Sequence, residues 1–61
     1  MQRPPLLLAL PPPQREVVVL RFFSEMSLDE IAHTVGAGFE TVKSRLRYAF
    51  VQLRRALEAV A

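Results

Sequence analysis

Lys43 and Arg47 stand four residues apart, and Ser44 and Tyr48 repeat that step one position on. On a helix each couple stacks on one face, and the two rows run side by side. Glu40 lies one turn earlier in the same sector. An ammonium or guanidinium on such a face can donate two hydrogen bonds to guanine O6 and N7, worth ~1–3 kcal/mol of discrimination per good pair. A serine hydroxyl can bond a base edge or a phosphate. Thr41 and Arg45 flank the rows and suit phosphates. Thr41 near a helix start also adds N–H groups at the positive end of a dipole, which attracts anions. Phosphate contacts would fix register, and base contacts would carry sequence information. The bland alternative is a basic helix face that meets only water.

The charge distribution sharpens that choice. The net charge is only +2, from eight Lys/Arg against six Asp/Glu. Yet residues 40–55 hold five cations (Lys43, Arg45, Arg47, Arg54, Arg55) and one acid, Glu40. Residues 16–30 hold four acids (Glu16, Glu25, Asp29, Glu30) and one cation, Arg21. One end of the molecule is therefore positive, which points to nucleic acid or to a solvated face.

Other chemistries find no residues. With 61 residues the chain is one small domain with a thin core, and a cleft between domains is excluded. There is no cysteine, so disulfides and thiolate metal sites are absent, and a single histidine, His33, argues against a zinc site. No cofactor is expected. No nucleophile–base pair, flanking carboxylates or phosphate loop is present, so no enzyme is expected. Asp29-Glu30 are consecutive and explained by helix capping. Apolar residues make up 51% of the chain, too many for a disordered tail. The apolar run at 6–10 is too short for a membrane span or a signal peptide. These absences fit a cytoplasmic protein.

The elements that must hold the basic rows are helices. Pro4-Pro5 and Pro11-Pro12-Pro13 limit residues 6–10 to a turn or two, and a helix starts near Pro12 or Pro13. Val17, Val18, Val19 and Leu20 would suit a buried strand. The proline start, Gln14 and Glu16 in the first turn and the lack of a partner strand favour a helix over 13–24. Its apolar residues cover nearly the whole circumference, so it is expected to pack on more than one side. Ser27 and Glu30 have the capping-box spacing, Leu28, Ile31, Ala32 and Val35 form an apolar stripe, and Gly36 suits a left-handed C-cap, which gives a helix over 27–35. After a tight turn at 36–39, Val42, Leu46, Ala49, Phe50, Leu53, Ala56, Leu57 and Val60 form a stripe on a third helix, 39–60. The fold class is all-α: a small three- to four-helix domain with a helix-turn-helix and a long C-terminal recognition helix. Phe39 is expected to anchor the turn in the core, Met26 to fill a core gap, and Phe22 and Phe23 to divide between core and a partner surface. His33 is expected to be an exposed bystander.

The strings LPPPQREVVVLRFF, SLDEIA and TVKSRLRYAFVQLRRAL closely resemble region 4 of sigma-70 family RNA polymerase sigma factors, the extracytoplasmic-function (ECF) type above all. The resemblance covers residues 10–57, and Thr41-Val42-Lys43-Ser44-Arg45-Leu46 is its most specific part. It implies a bacterial domain that reads the −35 promoter element in the major groove during transcription initiation and docks on the β-subunit flap of core RNA polymerase. By position it implies base or adjacent backbone contacts for Lys43, Ser44, Arg47 and Tyr48. It implies phosphate contacts for Arg21, Ser27, Leu28, Thr41 and Arg45. Ser27 would cap its helix with its side chain and keep its N–H for phosphate.

Two positions depart from the family. Glu40 stands where a small residue is usual. It can accept from cytosine N4, pair with Lys43 or Ser44, or serve only as a first-turn acid. Gly38 replaces a serine-like N-cap, at a cost of only a few tenths of a kcal/mol. A complete sigma factor also needs a domain that melts the −10 element, for which 61 residues leave no room, so the chain is expected to be part of a longer factor. The apolar residues on the back of the first long helix, with residues 6–8, exceed what the core can hide. They are expected to meet the flap, a preceding sigma domain or an anti-sigma protein. Arg54 and Arg55 are either a solvated helix end or part of a polymerase or phosphate contact.

Two other functions stay open. A LuxR-type effector domain of a response regulator shares the REV, IA and TVK features, although Ser44-Arg45 and the uninterrupted final helix argue against it. A pure interaction module, held by an anti-sigma protein or the flap, would bind DNA weakly on its own.

Overall fold

Three helices follow a short 3-10 turn in the computed structural model, which describes residues 6–60. The turn covers Leu6–Ala9, α1 Pro12–Phe22, α2 Leu28–Val35 and α3 Phe39–Val60. Pro4-Pro5 lie outside the described residues, as do the side chains of Leu6 and Val60.

Helix α1 starts on consecutive prolines, whose fixed φ suits a first turn that needs no N–H donor. Starting at Pro12 moves Glu16 past the first turn, so the expected carboxylate at the positive end of this helix is not there. The helix also ends at Phe22, earlier than the expected Ser24. The chain then folds back: the Ser24 N–H donates to the Val19 carbonyl at 3.2 Å and the Met26 N–H to the Leu20 carbonyl at 3.1 Å. Glu25 makes that reversal with φ 53°, in the left-handed region.

Helix α2 has both ends fixed by local chemistry. The Glu30 N–H donates to Ser27 Oγ at 3.1 Å, and the Ser27 N–H donates to Glu30 Oε1 at 2.9 Å. At the other end Gly36 adopts φ 71°, ψ 33°, and the Ala37 N–H reaches the Ala32 carbonyl at 3.0 Å. Helix α3 starts just after Gly38, whose carbonyl accepts from the Val42 N–H at 3.0 Å.

The buried core is Leu10, Val17, Val18, Ile31, Val42, Leu46 and Ala49. Each helix supplies part of it: α1 and α2 both pack on the N-terminal half of α3, and the 3-10 turn closes one end. Met26 and Leu28 pack against its edge. Twenty-two residues make α3 about 33 Å long, which accounts for most of the molecule's 38 Å length against 18 and 17 Å across. The second half of α3 therefore runs past the core. The apolar stripe is fully covered only in its first half: Val42, Leu46 and Ala49 are buried, Leu53 packs partly on the core, and Phe50 and Leu57 are about half exposed.

Three aromatic expectations need correction. Phe39 does not anchor the core; it is 41% exposed. Phe22 and Phe23 do not divide between core and surface, because both are exposed. The buried core of so small a domain is filled by the aliphatic side chains of Leu10, Val17, Val18, Ile31, Val42, Leu46 and Ala49, with no aromatic ring among them.

Candidate nucleic-acid interface

Two sides of one helix decide what α3 can do. Val42, Leu46 and Ala49 are buried against α1 and α2. Lys43, Ser44, Arg47 and Tyr48, interleaved with them in sequence, are exposed, as are Glu40 and Thr41. Arg45 is half-buried. The packing that buries one flank thus turns both rows of polar side chains outward together, over the first three turns of α3. Two turns of α2 and a glycine-containing turn precede this helix, the layout of a helix-turn-helix whose second helix is free to enter a groove.

At the start of α3, Glu40 Oε2 lies 3.8 Å from Lys43 Nζ. The same ammonium sits 5.7 Å from the centroid of the Phe39 ring, within cation–π range. Phe39 is therefore a partner of Lys43, a role the sequence reading missed; its signal was the i, i+4 spacing of an aromatic and a cation. Of the two side chains expected as partners for Glu40, Lys43 and Ser44, it is Lys43 that the structure brings within ion-pair distance.

A second group forms at the start of α2. Arg21 Nη1 donates to the Met26 carbonyl at 2.9 Å, which ties the guanidinium across the α1–α2 turn, beside Ser27 and Leu28. One of its five donors is used, and the others are available to an anion. The expectation for Ser27 needs correction: its N–H is already given to the Glu30 carboxylate, so it is not kept for phosphate. That carboxylate, held by the Ser27 N–H and then by the Ser27 hydroxyl, ionises more readily than an ordinary glutamate. What the start of α2 can still offer an anion are the N–H groups of Leu28 and Asp29, which have no partner within their helix. Among the described residues no hydrogen bond or ion pair joins this corner to Thr41 or Arg45.

The remaining candidates are quickly placed. His33 is exposed. Arg54 pairs with Glu58 at 3.4 Å on the far half of α3. Both also line a shallow groove of about 510 Å³, together with Phe50, Leu53 and Leu57. Among the described residues no three His, Cys, Asp or Glu side chains gather as metal ligands would, and no helix is long and apolar enough to cross a membrane.

Comparison with known proteins bears on the family. The family model for sigma-70, region 4 matches residues 6–55. An RNA polymerase sigma-E factor of Streptomyces avermitilis is 46% identical over 54 residues, which is 88% of this chain and 30% of that protein. The sigma-E factor of Streptomyces antibioticus is 49% identical over 49 residues, 80% of this chain and 27% of the relative. That of Streptomyces coelicolor is 47% identical over 53 residues, 87% of this chain and 30% of the relative. The chain thus spans less than a third of the length of these relatives. No solved structure matches it. With the family model covering most of the chain, the choice between the two resemblances is made: this chain belongs to the sigma-70 region 4 family and not to the LuxR-type effectors.

Proposed function

We propose that this chain is the promoter-reading domain of an RNA polymerase sigma factor of ECF type. It binds the −35 element as one asymmetric site and catalyses nothing itself. Lys43, Ser44, Arg47, Tyr48 and Glu40 face base edges; Arg21, Leu28, Thr41 and Arg45 hold the backbone, with Ser27 contributing through its cap of α2. The observation that carries this reading is the split of α3, with Val42, Leu46 and Ala49 buried while Lys43 and Arg47 of the same turns stand in solvent. The relatives are named RNA polymerase sigma-E factors, which supports a setting beside that polymerase; the proposal places this work in the cytoplasm, on the polymerase core.

A protein partner forms the second part of the reading. Phe22, Phe23, Phe50 and Leu57 are each about half exposed or more, which is a large apolar surface for so small a domain. It suits the β-subunit flap, with an anti-sigma protein as a competitor for the same face. Selection of bound duplexes from a random pool at low salt tests the DNA reading. One asymmetric motif enriched by the chain supports it; no enrichment over the starting pool refutes it.

A further inference from the structure

The acid at the head of α3 is out of place beside DNA. Glu40 is the second residue of the helix, and its side chain is 84% exposed. A carboxylate that approached phosphates here would be repelled. Its neighbours give it another use. Lys43 Nζ is held on two sides, by Glu40 Oε2 at 3.8 Å and by the face of Phe39 at 5.7 Å. The flexible lysine stem is thereby fixed before any DNA arrives, and the pair as a whole carries no net charge. A lone ammonium is drawn to phosphate, whereas a neutral acceptor–donor couple gains little from the backbone and much from a base edge that presents a donor beside an acceptor.

We infer that Glu40 and Lys43 act as one unit that reads a cytosine–guanine base pair, with Glu40 the specificity-determining residue. The inference rests on the groove-reading role proposed above. In the major groove a cytosine offers its N4 amino group to a carboxylate, and the guanine paired with it offers O6 and N7 to an ammonium. Those groups lie side by side across a single base pair, as Glu40 Oε2 and Lys43 Nζ do on α3. An adenine–thymine pair also presents an amino group, but its thymine offers one acceptor, O4, next to an apolar methyl group. An ammonium placed there loses water without gaining a second partner. Phe39 supports the arrangement by holding Lys43 on the side of the helix that Glu40 occupies.

The test uses the full 61-residue chain and synthetic duplexes. The site selected from a random pool is first rebuilt with all four base pairs at each position, and binding is measured at low salt. The wild type should discriminate at one cytosine–guanine position by roughly 5- to 140-fold, the range of a single mismatched pair. Glu40→Gln should move the preference there towards adenine–thymine, because a glutamine amide matches adenine N6 and N7. Glu40→Ala should flatten it. Both should leave every other position unchanged, and both should steepen the salt dependence by about one counterion, since Lys43 is then free for phosphate. If both variants keep the wild-type preference at every position, Glu40 serves only the helix dipole and the inference fails while the groove-reading role stands. If the wild type shows no base preference at any position, that role fails first and the inference with it. Melting curves of both variants verify that each is folded when its binding is read.

Discussion

Phe22 and Phe50 meet edge to face, with ring centroids 5.6 Å apart and planes at 71°, although each ring is about half exposed. Phe22 is the last residue of α1 and Phe50 lies midway along α3. The contact clamps the end of α1, and the turn held by Arg21, onto the helix that carries the basic rows. Edge-to-face pairs contribute about 0.5–1.5 kcal/mol beyond their buried area. A double-mutant cycle with Phe22→Ala and Phe50→Ala, read by urea melts, should return a coupling energy in that range. Additive losses would mean that the rings touch without supporting one another.

The capping box of α2 predicts a pH dependence. Glu30 has its carboxyl held below its ordinary value of 4.5 by the Ser27 N–H first and the Ser27 hydroxyl second. The unfolded chain therefore binds the proton more readily than the folded one. The stability this adds is present above the ordinary value and is lost as pH falls through the lower, folded one. Melting temperatures of the wild type should drop between about pH 5 and pH 3, and Glu30→Gln should drop less over the same interval. Ser27→Ala should cost about 1 kcal/mol at neutral pH through the lost cap. Equal acid sensitivity in the wild type and Glu30→Gln would assign the titration elsewhere.

Glu25 has φ 53°, where a side chain costs about 1–2 kcal/mol relative to the right-handed region. Glycine removes that cost and returns about 0.5–1 kcal/mol as lost backbone entropy. Glu25→Gly should therefore raise stability by up to ~1.5 kcal/mol, measured by thermal melting. A clear loss would show that the Glu25 side chain makes a contact of its own.

Ile31 is fully buried where α2 meets the core. Ile31→Ala should cost about 2–5 kcal/mol. Domains of this size rarely hold more than ~3–5 kcal/mol in total, so most of the helical circular dichroism should be lost at room temperature. His33→Ala, two residues on and exposed, should change stability by less than about 0.5 kcal/mol. If the isoleucine variant melts like the histidine one, the core is not where these helices place it.

Chemistry confined to a few neighbouring residues was readable from the sequence. Ser27, Glu30 and Gly36 fix the ends of α2 through groups at most five residues apart, and all three act as their types and spacing require. The buried flank of α3 followed from the 3.6-residue period as far as Ala49. Beyond Ala49 the same period continues with only partial cover, Phe22 against Phe50 and the edge of the core against Leu53, and periodicity does not report what lies opposite. Aromatic burial failed for two reasons: Phe39 turned to a cation one turn away on its own helix, and Phe22 to another exposed ring on α3, a choice that depends on how the helices sit together. The left-handed Glu25 had no signal, since glutamate rarely takes that conformation. At the candidate interface the outward rows were legible because they are the complement of the buried stripe. The spacing of Glu40 and Phe39 from Lys43 allowed their cluster, but the choice of Lys43 over Ser44 and the Arg21 tie to Met26 needed coordinates.

Arg47 and Arg45 sit two residues apart on α3, the first exposed and the second half-buried, and they are assigned to different tasks. Binding of the selected duplex and of its single-pair variants should be measured for Arg47→Ala and Arg45→Ala across a salt series. Arg47→Ala should relax preference at one base pair by about 1–3 kcal/mol, and Arg45→Ala should weaken all sequences alike and lower the salt slope by about one. Unchanged DNA retention in both variants at low salt would contradict the account, because an outward basic face that loses its arginines without effect is meeting only water.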